Sequence, residues 1–103
     1  MLDKTAVINV ARRYADEVIK EYNPHAIVLF GSYANGNPSE NSDIDIAVIF
    51  NGFSGNWLKT SAKLWKLTRN VTTDIEPVLL DITDDESGFT DYVMRAGNVI
   101  YQT

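Results

Sequence analysis

The chain has 103 residues, enough for one domain (1–103) with its own hydrophobic core, and its composition is that of an ordinary soluble globular protein, 45% hydrophobic and 22% charged. Nine basic against fourteen acidic residues give a net charge of −5, which argues against nucleic acid as a partner, because gripping its backbone rests on Lys and Arg. There is no cysteine and only one histidine, His25, so disulfides, thiolate metal sites, Cys nucleophiles and His-rich metal centres are excluded. No apolar run approaches the length of a membrane span and the N-terminus lacks the apolar core of a signal peptide; the expected location is the cytoplasm.

In chain order, "KTAVINVARRYADEVIKEYN" sets Val7, Ala11, Tyr14 and Val18 at i, i+4, i+7 and i+11, predicting an amphipathic helix of about five turns stopped by Asn23-Pro24. "AIVLF" (26–30) reads as a strand buried on both faces. Gly31-Ser32 breaks it, and "SYANG" predicts a short helix closed by Gly36, followed by the loop "NPSEN". "DIDIAVIF" (43–50) is the second strand. "NWLKTSAKLWKLTRN" predicts a second amphipathic helix, with Leu58, Ala62 and Trp65 on one stripe, Leu64 and Trp57 near it, and Lys59, Lys63, Lys66 and Arg69 on a solvated side. "TTDIEPVLLDI" (72–82) is a third strand, where Pro77 favours the edge of a sheet. "DDESGFTDYVMRAGN" predicts a short acid-capped helix closed by Gly97, and "VIY" a last short strand or docking tail. The order is that of a single α/β (α+β) domain.

The second strand opens on two aspartates, among the poorest strand formers. Side chains at i and i+2 of a strand point the same way, with Cα atoms about 6.5–7 Å apart, so Asp43 and Asp45 present two carboxylates on one face while Ile44 and Ile46 fill the other. Two like charges this close call for a cation between them, and an all-oxygen set suits Mg2+, or Mn2+ in its place. Gly31 lets phosphate oxygens approach the backbone, and Ser32 can cap the short helix or donate to a phosphate. No Gly-Lys-Ser/Thr is present, so this is not a P-loop.

The stretch "GSYANGNPSENSDIDIAV" resembles the signature of the DNA polymerase β-like nucleotidyltransferases, and more narrowly the minimal nucleotidyltransferases, whose typical form is G-S-Y/F-A-R-G-x-x-x-x-x-S-D-I-D-L. Gly31, Ser32, Tyr33, Ala34, Gly36, Ser42, Asp43 and Asp45 stand in place; the Arg of the pattern is Asn35 here. The resemblance implies the polymerase β-like fold, a small mixed sheet flanked by helices. It also implies nucleotide-binding roles for Gly31, Ser32 and Ser42, and two Mg2+ ions held by Asp43, Asp45 and a third carboxylate from a neighbouring strand. Periodicity leaves Asp74 and Glu76 as candidates for the third; the acid before Pro77 makes Glu76 the one the resemblance favours.

The implied activity is transfer of a nucleoside monophosphate from a nucleoside triphosphate to an acceptor hydroxyl. Stand-alone proteins of this type are often encoded beside a HEPN-domain toxin, which makes ATP the expected donor, a toxin tyrosine the expected acceptor and the chain an antitoxin; the resemblance also allows an oligomer. Two rival readings stand beside this one. One is a non-catalytic module that masks its partner, which Asn35 keeps open. The other is an antibiotic-modifying type of nucleotidyltransferase needing a partner subunit.

Overall fold

Asp3 starts the first helix: its carboxylate accepts the N–H of Ala6 at 2.7 Å, satisfying one donor of a first turn that has no helical acceptor of its own. In a computed structural model, which describes residues 3–36, 38 and 43–103, this helix is α1, Lys4–Ile19. The predicted stripe is the buried one: Val7, Ala11, Tyr14 and Val18 are all inside. The helix ends four residues before the predicted stop at Asn23. Pro24 disfavours the helical conformation at Asn23, and the last turn closes with the N–H groups of Glu21 and Tyr22 both donated to the Val18 carbonyl.

The strands are β1 (Ala26–Phe30), β2 (Ile44–Phe50), β3 (Ile75–Asp81) and β4 (Asn98–Gln102), in the order β3-β2-β1-β4. The residues 98–102 are thus a true strand rather than a tail. β2 pairs antiparallel with β1 and parallel with β3, and β4 is antiparallel to β1, making a mixed sheet. The helix α2 (Ser32–Asn35) joins β1 to β2; α3 (Trp57–Leu67), prolonged by a 3-10 turn at Thr68–Asn70, makes the crossover from β2 to β3; α4 (Phe89–Ala96) precedes β4.

The bonds Ile44 N–H to Asp74 carbonyl and Ile82 N–H to Phe50 carbonyl show that the even-numbered residues of β3 face β2. The nitrogen of Pro77 therefore lies on the outer edge, where its missing N–H costs no ladder bond and discourages pairing with another chain.

Alternation splits the sheet into two unequal faces. Ile27, Leu29, Ile44, Ile46, Val48 and Ile75 pack with α1, α3 and Tyr33 of α2 in the main core. Val28, Ala47 and Ile49 meet Val93 of α4 on the other side. There Gly97 is required by packing: a Cβ at this position would meet Val28 Cγ1 at 2.5 Å and the Leu29 carbonyl at 2.7 Å. Asp85 accepts the N–H groups of Thr90 and Asp91 at 2.8 and 3.0 Å, which is the expected acidic cap of α4.

The expected stripe on α3 is overturned. Thr60, Leu64 and Leu67 are its buried residues, whereas Leu58, Ala62 and Trp65 lie on the opposite side and are exposed. The reason is a tertiary one. Tyr14, buried on α1, donates its hydroxyl to the Leu64 carbonyl at 2.7 Å, and Phe53 takes the Trp57 ring edge-on at 5.3 Å, which together set the rotation of the helix.

Candidate functional site

The end of β1 and the starts of β2 and β3 come together at one end of the sheet. Asp45 on β2 stands opposite Phe30 on β1 and opposite Glu76 on β3. Asp43 directly precedes β2 and is exposed, and the expected division holds, with Ile44 and Ile46 buried in the main core on the other face. Asp45 and Glu76 thus share the face covered only in part by α4.

Gly31 is where β1 turns into α2. Its φ is +77°, which favours glycine, and a Cβ added there would collide with Asp45 Oδ2. The carboxylate of Asp45 therefore rests against the Gly31 backbone, beside Ser32, the first residue of α2. Ser42 lies outside the described residues. Asp74 precedes β3 and is exposed, with its carbonyl holding the Ile44 N–H at 2.9 Å and its own N–H donated to Thr72 Oγ1 at 3.2 Å. Of the two candidates for the third acid, Glu76 is the one in register with Asp45.

The electrostatics are those of acids crowded together. Burial, then the neighbouring Asp43 charge, pushes the Asp45 carboxyl up from its ordinary value. Glu76 is pushed up by a hydrogen bond with the Asp43 carboxyl, then by burial and the charges of Asp45 and Asp43. Among the described residues no group of three or more His, Asp or Glu side chains is disposed as it stands to hold a metal ion. The donor set nevertheless fits a hard divalent cation. Asp45 and Glu76 are carboxylates on adjacent strands, both raised in part by neighbouring acidic charge, and such an ion would relieve that repulsion.

Two features were not visible in the sequence. Phe30, the cross-strand neighbour of Asp45, is met edge-on by the Phe89 ring of α4 at 5.9 Å, so an aromatic pair flanks the acids. A contact between residues so far apart in the chain leaves no local signal. Asp81, at the other end of β3, accepts from Gly52 N–H (3.0 Å), Phe53 N–H (2.6 Å) and both the N–H and hydroxyl of Thr83 (2.9 and 2.7 Å). Burial opposes its ionisation, but these donors prevail and lower its pKa to about 2. The backbone of His25 donates its N–H to the Ile49 carbonyl and accepts the Thr103 N–H. The carboxylates line neither of two larger clefts, one of about 510 Å3 beside Tyr22, His25 and Phe53, the other of about 530 Å3 beside Arg13, Glu17 and Asn70.

Among the described residues no helix is long and apolar enough to cross a membrane. Residues 15–103 match the family model "Polymerase beta, Nucleotidyltransferase". A proposed protein adenylyltransferase of Methanocaldococcus jannaschii, MJ1215, is 44% identical over 41 residues, 40% of this chain; the match spans about half (48%) of the length of that curated relative. The fold is shared with a proposed nucleotidyltransferase of Sulfolobus solfataricus (TM-score 0.69, 22% identity, 96% of this chain and 83% of the other). It is similar also to a chain in the structure of a toxin–antitoxin with AMP-PNP (TM-score 0.61, 28% identity, 99% and 75%) and to one in a mutant toxin–antitoxin MntA–HpeT (TM-score 0.57, 25% identity, 99% and 75%). With the match running over most of its length, this chain belongs to the polymerase β nucleotidyltransferase family.

Proposed function

We propose that this chain moves AMP from ATP to an acceptor hydroxyl, a tyrosine of a HEPN-type toxin, and so acts as an antitoxin. The observation that carries the reading is the register of Asp45 with Glu76, beside a glycine that the Asp45 carboxylate itself requires. The naming of the M. jannaschii relative as a protein adenylyltransferase and the AMP-PNP in a toxin–antitoxin neighbour support the donor and the kind of acceptor.

Asp43, Asp45 and Glu76 would hold two Mg2+ ions, which when bound neutralise the triphosphate and lower the pKa of the attacking hydroxyl. The chain's own part is placement. Gly31 leaves room for the Asp45 carboxylate and its backbone is assigned to the phosphates, to which Ser32 donates its hydroxyl, and Ser42 is assigned the same role. Glu76, separated from Gly31 by Asp45 in the sheet, is the base for the acceptor proton. The acceptor oxygen bonds to the α-phosphorus as the bond to the β-phosphate oxygen breaks, pyrophosphate leaves, and the carboxylate takes the proton.

A second reading, an antitoxin that masks its partner with little transfer, is favoured by Asn35, an exposed neutral residue where the family motif carries Arg. Calorimetric titration of ATP with and without Mg2+, into the wild type and the double variant Asp43→Asn, Asp45→Asn, tests the nucleotide site. Metal-dependent binding that the variant loses is expected, followed by transfer of label from ATP to a tyrosine of the partner. Absence of binding at millimolar ATP sinks the enzyme reading in favour of masking.

A further inference from the structure

Helix α3 carries two apolar stripes, and the fold uses one. Thr60, Leu64 and Leu67 are buried in it; Leu58, Ala62 and Trp65, at i, i+4 and i+7, run along the outer side, with Leu58 81% and Trp65 49% exposed. Single exposed apolar residues are normal, but an aligned row on one helix is the pattern of a helix-docking surface. Lys59, Lys66 and Arg69 flank this row, exposed, and none is in an ion pair among the described residues. Residues 57–70 hold four of the nine cations and no acid, while the remaining chain has five cations against fourteen acids. A cleft of about 390 Å3 opens between Ala62, Trp65, Lys66 and Arg69.

We propose that the outer side of α3 is a docking surface for an acidic amphipathic helix of a partner protein. The partner's apolar side chains would cover Leu58, Ala62 and Trp65, and its Asp and Glu residues would meet Lys59, Lys66 and Arg69. Charge complementarity selects this occupant: in a chain of net −5, this segment is the place where an acidic surface is attracted rather than repelled. An RNA strand suits it less, because the middle of the row is aliphatic and the acids elsewhere repel phosphates. The surface belongs to the helical layer on the sheet face away from Asp45 and Glu76, so the inference stands apart from the nucleotidyl-transfer reading.

Both tryptophans of the chain, Trp57 and Trp65, are on α3, so intrinsic fluorescence reports on this surface. The probe is a synthetic helical peptide of about 20 residues with a leucine stripe flanked by Glu. Controls are the same peptide with Lys for Glu, and oligouridylate. A saturable emission shift is expected with the Glu peptide alone. Its affinity falls at least about tenfold in Lys66→Glu, Arg69→Glu and in Leu58→Ser, and weakens as salt screens the charges. Thermal melting and ATP binding of these variants stay at wild-type values, which separates this test from that of the nucleotide site. No saturation by the Glu peptide, an equal response to the Lys peptide, tighter binding of oligouridylate, or an emission change that tracks self-association in sedimentation would each overturn the proposal.

Discussion

Glu76 and Asp81 stand at opposite ends of β3, and their surroundings drive them in opposite directions. Asp81 is 7% exposed and meets four donors, from Gly52, Phe53 and Thr83; its charge is wanted, and its pKa falls to about 2. Glu76 meets the Asp43 carboxyl and the Asp45 charge, and its pKa rises. The first acid ties the 52–53 loop and the Thr83 turn to the strand, a structural use of charge. The second belongs to a group that the folded chain leaves electrostatically dissatisfied, which is how sites made for a cation or a substrate differ from anchors. One strand therefore carries a stabilising acid and a destabilising one, and the difference lies in whether N–H groups or carboxylates face them.

Replacing each acid sharpens this contrast. Among the acids, Asp81→Ala has the largest expected effect: about 2 kcal/mol of stability lost at pH 7, a fall of roughly 10 °C in melting temperature by calorimetry. A loss within about 0.5 kcal/mol, the level of an ordinary surface change, would break the assignment of Asp81 as an anchor. Acid titration comes next. Because the folded carboxyl is held below its unfolded value, its contribution is complete above the unfolded pKa near 3.9 and disappears as the pH falls through about 2. Urea unfolding of the wild type across this window should show that loss, and the Asp81→Ala protein should lack it.

The smallest effect has the opposite sign. Asp45→Asn should raise the melting temperature of the metal-free protein by a few degrees at pH 7 while removing metal-dependent ATP binding. The ionised Asp45 costs stability above its raised folded pKa, and the gain from Asn should shrink as acid protonates the wild-type carboxyl. A drop in melting temperature would mean that Asp45 is held by favourable contacts, as Asp81 is. Helix α3 adds one comparison within a single element: Leu64→Ala should cost about 2–5 kcal/mol in denaturant unfolding, and Leu58→Ala no more than about 0.5 kcal/mol.

Much of this was legible in the residues. The stripe of α1 was legible because Val7, Ala11, Tyr14 and Val18 repeat over four turns, with Ile8 and Ala15 beside them and Arg12, Arg13, Asp16 and Glu17 on the far side. The three strands at 26–30, 43–50 and 72–82 were readable from short apolar β-rich runs between turn residues, and the edge position of β3 from Pro77. On α3 the same reasoning chose the wrong side. Leu58, Ala62 and Trp65 are spaced as well as Thr60, Leu64 and Leu67, and spacing identifies stripes without saying which one meets a core. That was settled by Tyr14 reaching Leu64, a contact between helices separated by two strands in the chain.

By itself the sequence determined most of the helical and extended segments, the acidic opening of the second strand at Asp43 and Asp45, and the glycine that turns β1 into α2, because periodicity and backbone freedom act within a few residues. Only the tertiary structure decided that Glu76 rather than Asp74 stands level with Asp45, that Asp45 lies on Gly31, that Asp81 is an anchor, and which stripe of α3 is left to the solvent. Each of these depends on strand register or on a contact between distant segments, and both are set by how the whole core packs, to which no local stretch of sequence has access.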